Sequence, residues 1–288
     1  MYIDSHVHFR DEEQSYKETI AHGLEVAHDV GVDAVFDMPN PQRPVLNRER
    51  VKDRLALAKK SGISQVFYGT FIGATKNPEQ LKEAVAVWRD FFPYLVGIKL
   101  YAGHSVGDLG VTTLEDQAVV YETLSKEGFT GVIYVHAEKE AEMNDYIGKK
   151  FNPLFPLSHC LARPWQAELA SIKDQVILAR NFHFSGKLHI AHISHPSSVE
   201  YIEEVKNLGL DISCGVCPHH WIYDWSQMQK ENGLLWKMNP PLREPSAPQI
   251  MLQYLKQGKI DWVETDHAPH DPQKGEAPHG KTVGHLEI

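Results

Sequence analysis

The feature that most constrains this chain's fold is a recurring unit: a short apolar, β-branched run, then a polar loop, then a longer stretch with helical spacing. Strands that alternate with helices predict a parallel sheet, and about eight such units predict a closed barrel. The predicted strands are 2–9, 33–38, 65–71, 97–101, 131–138, 187–193, 211–216 and 261–265. The predicted helices are 18–30, 47–61, 78–92, 113–128, 164–181, 197–208 and 248–258.

A doubly wound sheet is the competing architecture. It normally carries a glycine-rich phosphate-binding turn after an early strand, and this sequence has none there. We therefore predict an α/β fold, a (β/α)8 TIM barrel that forms one domain over residues 1–288. The stretch 266–288 is rich in Pro, Gly and His, so we expect the final helix to be missing or irregular and one side of the barrel to be open to a partner.

Composition excludes several classes of function. The chain of 288 residues has a formal net charge of −9, which gives no basic surface for nucleic acid or an anionic membrane. No segment approaches the ~18 consecutive apolar residues of a membrane span, and the first residues lack the basic and apolar regions of a secretory signal. We expect a soluble, cytoplasmic protein with a small-molecule substrate.

Three cysteines do not make a disulfide framework in a chain of this length. Cys214 and Cys217 form a Cys-x-x-Cys pattern, but they lie on a predicted strand, where residues three apart point to opposite faces. We therefore expect both to be buried small apolar side chains rather than a zinc or redox pair.

Histidines dominate the candidate chemistry, with 17 in the chain. His6 and His8 stand two apart on the first predicted strand, so both imidazoles can bind one metal ion from one face, although two satisfied or surface histidines would give the same pattern. Further candidate ligands lie at or near the ends of other predicted strands, namely Lys99, His136, His192 and Asp266. Their separations correspond to whole units, with one insertion between His136 and His192, and a barrel gathers strand ends at its carboxyl-terminal mouth.

A lysine among metal ligands needs a chemical reason, because an ammonium ion repels a cation. A lysine buried beside metals can lose its proton and react with carbon dioxide to give a carbamate, whose two oxygens bridge a metal pair. The alternative for Lys99 is an ordinary ion pair or a snorkelling side chain at the barrel mouth. The accompanying histidines and aspartate favour the carbamate.

Several short motifs run through nearly the whole sequence. They are Asp4-Ser-His-Val-His-Phe-Arg10, Asp37-Met-Pro-Asn40, Gly97-Ile-Lys-Leu-Tyr101, Val135-His-Ala-Glu138, Ala162-Arg-Pro164, His192-Ile-Ser-His195, Pro218-His-His220, Asn239-Pro-Pro-Leu-Arg243 and Thr265-Asp-His-Ala-Pro-His270. In this combination the chain resembles the dihydroorotases of the amidohydrolase superfamily. The resemblance implies two divalent metal ions, with Zn²⁺ the expected metal. It assigns His6, His8 and Asp266 to one ion, His136 and His192 to the other, and a carboxylated Lys99 to the bridge.

The same resemblance implies a reaction, the reversible cyclisation of N-carbamoyl-L-aspartate to dihydroorotate in de novo pyrimidine biosynthesis. A hydroxide that bridges the metals would be the nucleophile, and Asp266 the general base and acid. Arg10, on the expected strand face of His8, can bind the substrate carboxylate through two parallel hydrogen bonds. Asn40 and His270 resemble the family's other carboxylate contacts, and Asn239 a further substrate contact.

The sequence also suggests roles for a loop, for three further histidines and for the assembly of the protein. The segment 102–110 resembles a mobile active-site loop, in which His104 or Ser105 would touch substrate, and a plain surface loop is the alternative. His195, His219 and His220 are expected to support the ligands or to pack. The metal motif begins at residue 4, so we expect a minimal barrel without the family's β-sandwich, working as a homo-oligomer, most simply a dimer, with aspartate transcarbamoylase as a candidate partner.

Two alternatives stay open. One is another cyclic amidohydrolase, such as a hydantoinase, dihydropyrimidinase or allantoinase, against which Arg10 together with Asn40 is the discriminating pair. The other is an inactive dihydroorotase-like subunit that scaffolds another enzyme. A degenerate copy should have lost ligands, and this sequence has every candidate.

Overall fold

Eight parallel strands form one sheet in the order of the sequence in this computed structural model, which describes residues 1–103, 109–143, 152 and 154–271. The strands are β1 (Ile3–Val7), β2 (Ala34–Asp37), β3 (Phe67–Gly73), β4 (Leu95–Tyr101), β5 (Val132–His136), β6 (Lys187–Ile190), β7 (Ile212–Val216) and β8 (Trp262–Val263). The predicted TIM barrel is confirmed.

The barrel closes between its last and first strands through few contacts. β8 pairs with β7 through Gly215 with Trp262 and Val216 with Val263. Just past β8, His267 bridges to Val7, and its carbonyl oxygen accepts a hydrogen bond of 2.7 Å from the amide of His8. The residue that follows β1 is therefore tied directly to the segment that follows β8.

Helices follow the strands on the outside. They are α1 (Ile20–Asp29), α2 (Arg48–Lys60), α3 (Pro78–Phe91), α4 (Leu114–Lys126), α5 (Leu157–Ala162), α6 (Trp165–Asn181), α7 (Pro196–Asn207), α8 (His219–Ile222) and α9 (Ala247–Lys256). Side-chain caps set several of their starts, because the first helical amides need acceptors. Thr19 caps α1 and Asn47 caps α2, with hydrogen bonds of 3.1 Å and 3.0 Å.

The main core lies between the strands and the helices and is built from buried aliphatic residues of β3 to β7 and their helices. A separate group packs together and consists of Phe71 on β3, Tyr134 on β5, and Met38 and Ala191, which directly follow β2 and β6. Polar side chains then cluster at the carboxyl ends of the strands.

Some predicted strands are too long. β1 ends at Val7, so Arg10 lies beyond the strand and not on its face as expected, and Asp11 has a φ of 56°. β6 ends at Ile190, because His192 has a φ of 39°, a left-handed conformation that a strand cannot continue through. Asp266, past β8, has a φ of 54°.

Two predictions concern segments beyond the described part. The expected missing or irregular final helix falls within 266–288, of which the structure describes only the residues to 271. His104 and Ser105 of the 102–110 loop also lie outside the described residues. Among the described helices, none has the length and apolar character required to cross a membrane.

Candidate functional site

A pocket at the carboxyl ends of the strands brings the predicted site residues together. Its lining consists of His6, His8, Arg10, Asn40, Lys99, Tyr101, His136, His192, Asn239, Asp266 and Ala268. The remaining predicted residue, His270, contacts Arg10. The pocket therefore brings residues of β1 and of the segment just after it next to the segment that follows β8.

The first group of donor atoms is formed by His6, His8 and Asp266. The Nε2 atoms of the two histidines are 3.2 Å apart, and Asp266 Oδ1 lies 3.3 Å from His6 Nε2 and 2.9 Å from His8 Nε2. Ligands that bind one zinc ion at about 2.1 Å in tetrahedral geometry are roughly 3.4 Å apart. The three atoms thus have the spacing of ligands around a single ion.

Protonation in this group favours metal binding. Burial and the neighbouring Lys99 lower the pKa of His6 to about 4, which keeps the imidazole neutral. Burial alone would raise the pKa of Asp266, but His6 and His8 hold it well below its usual value, so the carboxylate is ionised. Asn40 Oδ1 lies 2.6 Å from His8 Nδ1, and the amide oxygen can only accept, so Nδ1 carries the proton and Nε2 keeps the lone pair that can bind a metal ion.

The second group is His136 with His192, whose Nδ1 and Nε2 atoms are 3.0 Å apart. Burial, and then the field of His136, lower the pKa of His192 well below its usual value. The other nitrogen of His136, Nε2, lies 3.0 Å from Glu138 Oε2. Arg163 in turn donates to both carboxylate oxygens of Glu138, at 3.0 Å and 2.5 Å.

Lys99 lies next to both groups and is 1 % exposed. Its Nζ has no hydrogen-bond partner among the described residues and stands 4.8 Å from the ring centre of Tyr134. Burial lowers the pKa of Lys99 to about 8, although Glu264 and Asp266 oppose the shift. A buried amine that is partly neutral and unpaired fits the requirements for a carbamate, and the donor set as a whole fits a pair of divalent ions.

Glu264 is a buried carboxylate that the sequence reasoning missed. It has no exposed surface, and it accepts hydrogen bonds from Tyr134 Oη and from the backbone amide of His192. His6 Nδ1 lies 3.8 Å from Oε1, and His189 Nε2 lies 3.5 Å from Oε2. The signal available in the sequence is its position two residues before Asp266, which would place both side chains on one face of a continuing strand.

Gly215 makes room for this carboxylate. A Cβ atom at Gly215 would lie 2.6 Å from the carboxyl carbon of Glu264, a distance that real contacts do not reach. The absence of a side chain on β7 at this point therefore allows the carboxylate from the end of β8 to sit beneath the histidines.

A cationic side chain, Arg10, lies at one end of the pocket. Arg10 Nε donates to the carbonyl oxygen of Pro269 at 3.1 Å, and Arg10 Nη2 lies 2.9 Å from His270 Nε2. Lys17 Nζ is 3.5 Å from the other nitrogen of His270. Across the pocket, Asn239 is 3 % exposed and its Oδ1 has no partner within the described residues, so this oxygen can accept a hydrogen bond from a ligand.

A buried ion pair supports the segment that carries Arg10. Arg54 donates to Asp37 Oδ2 at 2.5 Å, and neither side chain has exposed surface. Arg54 also donates to the carbonyl oxygens of Phe9 and Arg10, and Asp37 accepts from the amide of Phe9. The aspartate of the Asp37-Met-Pro-Asn40 motif therefore holds the backbone that follows β1.

His195, one of the surplus histidines, packs in the way expected for a supporting residue. Its ring stacks on Trp165 with centres 4.4 Å apart, and its Nε2 lies 3.0 Å from Glu244 Oε1. His220 Nε2 lies 3.1 Å from the carbonyl oxygen of Pro240.

Comparison with solved structures supports the barrel fold. The chain superposes on the L-hydantoinase (dihydropyrimidinase) of Arthrobacter aurescens with a TM-score of 0.82 at 21% identity, covering 94% of this chain and 58% of that one. The D-hydantoinase (dihydropyrimidinase) of Thermus sp. gives a TM-score of 0.80 at 20% identity, covering 98% and 62%. This chain therefore has the barrel fold of these proteins.

Comparison with curated sequences is more specific. The chain is 30% identical over 281 residues to the dihydroorotase of Lactobacillus gasseri, covering 93% of this chain and 60% of the relative. It is 29% identical over 282 residues to the dihydroorotase of Listeria welshimeri, covering 96% and 62%. The resemblance to dihydroorotases is confirmed, and the chain spans about 60% of the length of the relatives it matches. No protein-family model matches it.

Proposed function

We propose that this protein is a dihydroorotase that interconverts N-carbamoyl-L-aspartate and dihydroorotate in de novo pyrimidine biosynthesis. The observation that carries the proposal is the position of Arg10 and His270 beside the cluster of His6, His8 and Asp266. Arg10 lines the same pocket as the cluster and lies 2.9 Å from His270. A carboxylate bound by Arg10 and His270 would place a cyclic amide next to the metal-type ligands.

Two divalent ions, most simply Zn²⁺, fit this donor set. His6, His8 and Asp266 would hold one ion, His136 and His192 the other, and a carboxylated Lys99 would bridge them. Bound ions of this kind acidify water and polarise a carbonyl group, which are the two demands of cyclic amide hydrolysis.

Asp266 is the proposed general base and acid. In ring opening, water adds to the ring carbonyl carbon, its proton passes to the Asp266 carboxylate, and the carbon–nitrogen bond of the ring breaks. The same proton then goes from Asp266 to the leaving nitrogen. In ring closure the carboxylate takes a proton from the attacking carbamoyl nitrogen. The low pKa of Asp266 keeps it in the form that accepts this proton.

Other residues of the pocket would orient the substrate relative to Asp266 for this proton transfer. Arg10, Asn40 and His270 would bind the substrate carboxylate, with Arg10 supplying positive charge. The unpaired Oδ1 of Asn239 would accept a hydrogen bond from a ring N–H. An analogue without the carboxylate would lose the first of these contacts but keep the second.

We also propose that residues 1–288 act as one barrel domain, that the protein works in the cytoplasm as a homodimer, and that it associates with aspartate transcarbamoylase. The short backbone closure between β1 and the segment after β8 supports a partner on that side, because among the described residues the two backbones pair at an isolated bridge, Val7 with His267. Light scattering at micromolar concentration tests the dimer, and a monomer would contradict it.

Turnover assays in both directions on the metal-loaded protein test the function. We expect formation of dihydroorotate from N-carbamoyl-L-aspartate at acidic pH and the reverse reaction at alkaline pH. Turnover of hydantoin, dihydrouracil or allantoin without turnover of dihydroorotate would assign the site to another cyclic amide. Absence of bound metal and of all turnover after zinc addition would indicate the scaffold subunit.

A further inference from the structure

A second group of potential metal ligands lies at the end of β7. Cys217 directly follows that strand, and His219 and His220 begin the short helix α8. One donor atom from each of the three residues lies within 4.8 Å of the others. Cys217 has no exposed surface and His220 is 2 % exposed. None of the three belongs to the ligand set described above.

The hydrogen bonding of His220 leaves a nitrogen available. His220 Nε2 lies 3.1 Å from the carbonyl oxygen of Pro240, and because a carbonyl oxygen can only accept, Nε2 carries the proton. The lone pair is then on Nδ1, which is buried and has no partner in the part of the chain that the structure describes. A histidine held by a backbone carbonyl through one nitrogen commonly binds a metal through the other.

The charge state of the group suits a soft cation. Burial lowers the pKa of His219 to about 4 and that of His220 well below its usual value, so both rings are neutral donors. Burial, and then the field of Asp266, raise the pKa of the Cys217 thiol, so a bound cation must displace the thiol proton. One sulfur and two imidazole nitrogens are ligands that Zn²⁺ accepts, with a fourth position left for water.

The Cys-x-x-Cys pattern in the sequence does not define this group. Cys214 lies three residues earlier on β7, its amide donates to Asp261 Oδ2 at 2.8 Å, and its Sγ is 4.0 Å from the carbonyl oxygen of Lys259. Cys214 therefore contacts the segment that precedes β8, whereas Cys217 faces the two histidines. This difference makes Cys214 a matched control for Cys217.

We propose that Cys217, His219 and His220 form an additional binding site for a thiophilic divalent cation such as Zn²⁺. Its three ligands are different residues from the donor groups of His6, His8, Lys99, His136, His192 and Asp266. It does not depend on the proposed reaction, because none of its three residues takes part in that reaction. Binding of one cation releases the proton of the Cys217 thiol.

Cobalt substitution tests the site, because a thiolate ligand gives Co²⁺ an intense near-ultraviolet charge-transfer band and the other ligand set contains no sulfur. The full-length protein, loaded first with one and then with further equivalents of Co²⁺, should develop this band. We expect Cys217→Ser to abolish the band and to lower the zinc content by one ion per chain, while Cys214→Ser leaves both unchanged. Absence of the band from the wild-type protein, or its persistence in Cys217→Ser, would overturn the proposal.

Two further measurements keep the test independent of how well the Cys217 variant folds. His219→Asn should weaken the affinity for the additional cation at least about 10-fold, as expected for loss of one ligand. X-ray absorption on zinc-loaded wild-type protein should detect sulfur in part of the zinc coordination shells, and a spectrum with nitrogen and oxygen ligands alone would contradict the site. These readouts do not use turnover, so failure of the dihydroorotase proposal would leave them unaffected.

Discussion

Glu138 and His136 form a carboxylate–histidine pair, with Oε2 3.0 Å from Nε2, that turns the other imidazole nitrogen toward His192. Arg163 holds the carboxylate from its far side through two hydrogen bonds. Burial alone would raise the pKa of Glu138, but Arg163 and His136 hold it well below its usual value, so the carboxylate is ionised. Such a partner fixes both the tautomer and the ring orientation of a metal ligand.

The first prediction concerns this pair. Glu138→Gln should weaken the affinity for the ion at His136 and His192 by about 10- to 100-fold, because the imidazole loses its charged acceptor. Competition with a chromophoric chelator measures this affinity. The exposed Glu142 lies on the same segment, so Glu142→Gln is the control and should leave the affinity unchanged. Equal affinities for both variants would contradict the role of Glu138.

The second prediction concerns Lys99. Carbamate formation needs the neutral amine and dissolved carbon dioxide, and burial lowers the pKa of Lys99 to about 8. At a fixed concentration of dissolved carbon dioxide, recovery of metal-free protein with Zn²⁺ should therefore speed up as the pH rises to about 8 and then level off. Labelling with ¹³C-bicarbonate should give a carbamate signal in the wild-type protein. Lys99→Arg should remove the signal and the second ion, whereas Lys76→Arg, at an exposed lysine, should change neither. A pH-independent recovery would argue against the carbamate.

These same residues show which parts of the site and of the fold can be predicted from the sequence. His6 and His8 could be predicted because their two-residue spacing near a strand end can be read directly from the sequence. The contacts of Glu138 and Glu264 could not be predicted, because their partners Arg163, His189 and Tyr134 come from distant parts of the chain and only folding brings them together. The strand ends at Val7 and Ile190 were missed for a related reason, since the left-handed backbone of His192 is set by tertiary contacts and not by local preference.

The third prediction separates substrate recognition from catalysis. Arg10→Gln should raise KM for dihydroorotate by about 10- to 100-fold, which corresponds to the loss of a charged hydrogen bond. kcat should change much less, because Arg10 binds the carboxylate and does not move the proton. The control is Arg43→Gln, since Arg43 is 56% exposed and lies 3.9 Å from Glu12. A fall in kcat with an unaltered KM would contradict this assignment.

The fourth prediction tests the carboxylate beneath His6. Glu264→Gln keeps the side-chain volume but removes the charge that faces His6 Nδ1 and His189 Nε2. The affinity for the ion held by His6, His8 and Asp266 should fall by about 10- to 100-fold. Isothermal titration with Zn²⁺ measures the change, and Glu25→Gln on the exposed face of α1 should have none. If the two variants bind zinc equally, Glu264 has no part in positioning His6.

The most direct test of the central proposal is a crystal structure of the metal-loaded protein with dihydroorotate, with anomalous data collected at the metal edge. The account predicts two ions, one on His6, His8 and Asp266 and one on His136 and His192, bridged by a carboxylated Lys99, with the substrate carboxylate on Arg10. Two metal ions bound at other residues, an unmodified Lys99, or a substrate carboxylate that does not contact Arg10 would contradict the account.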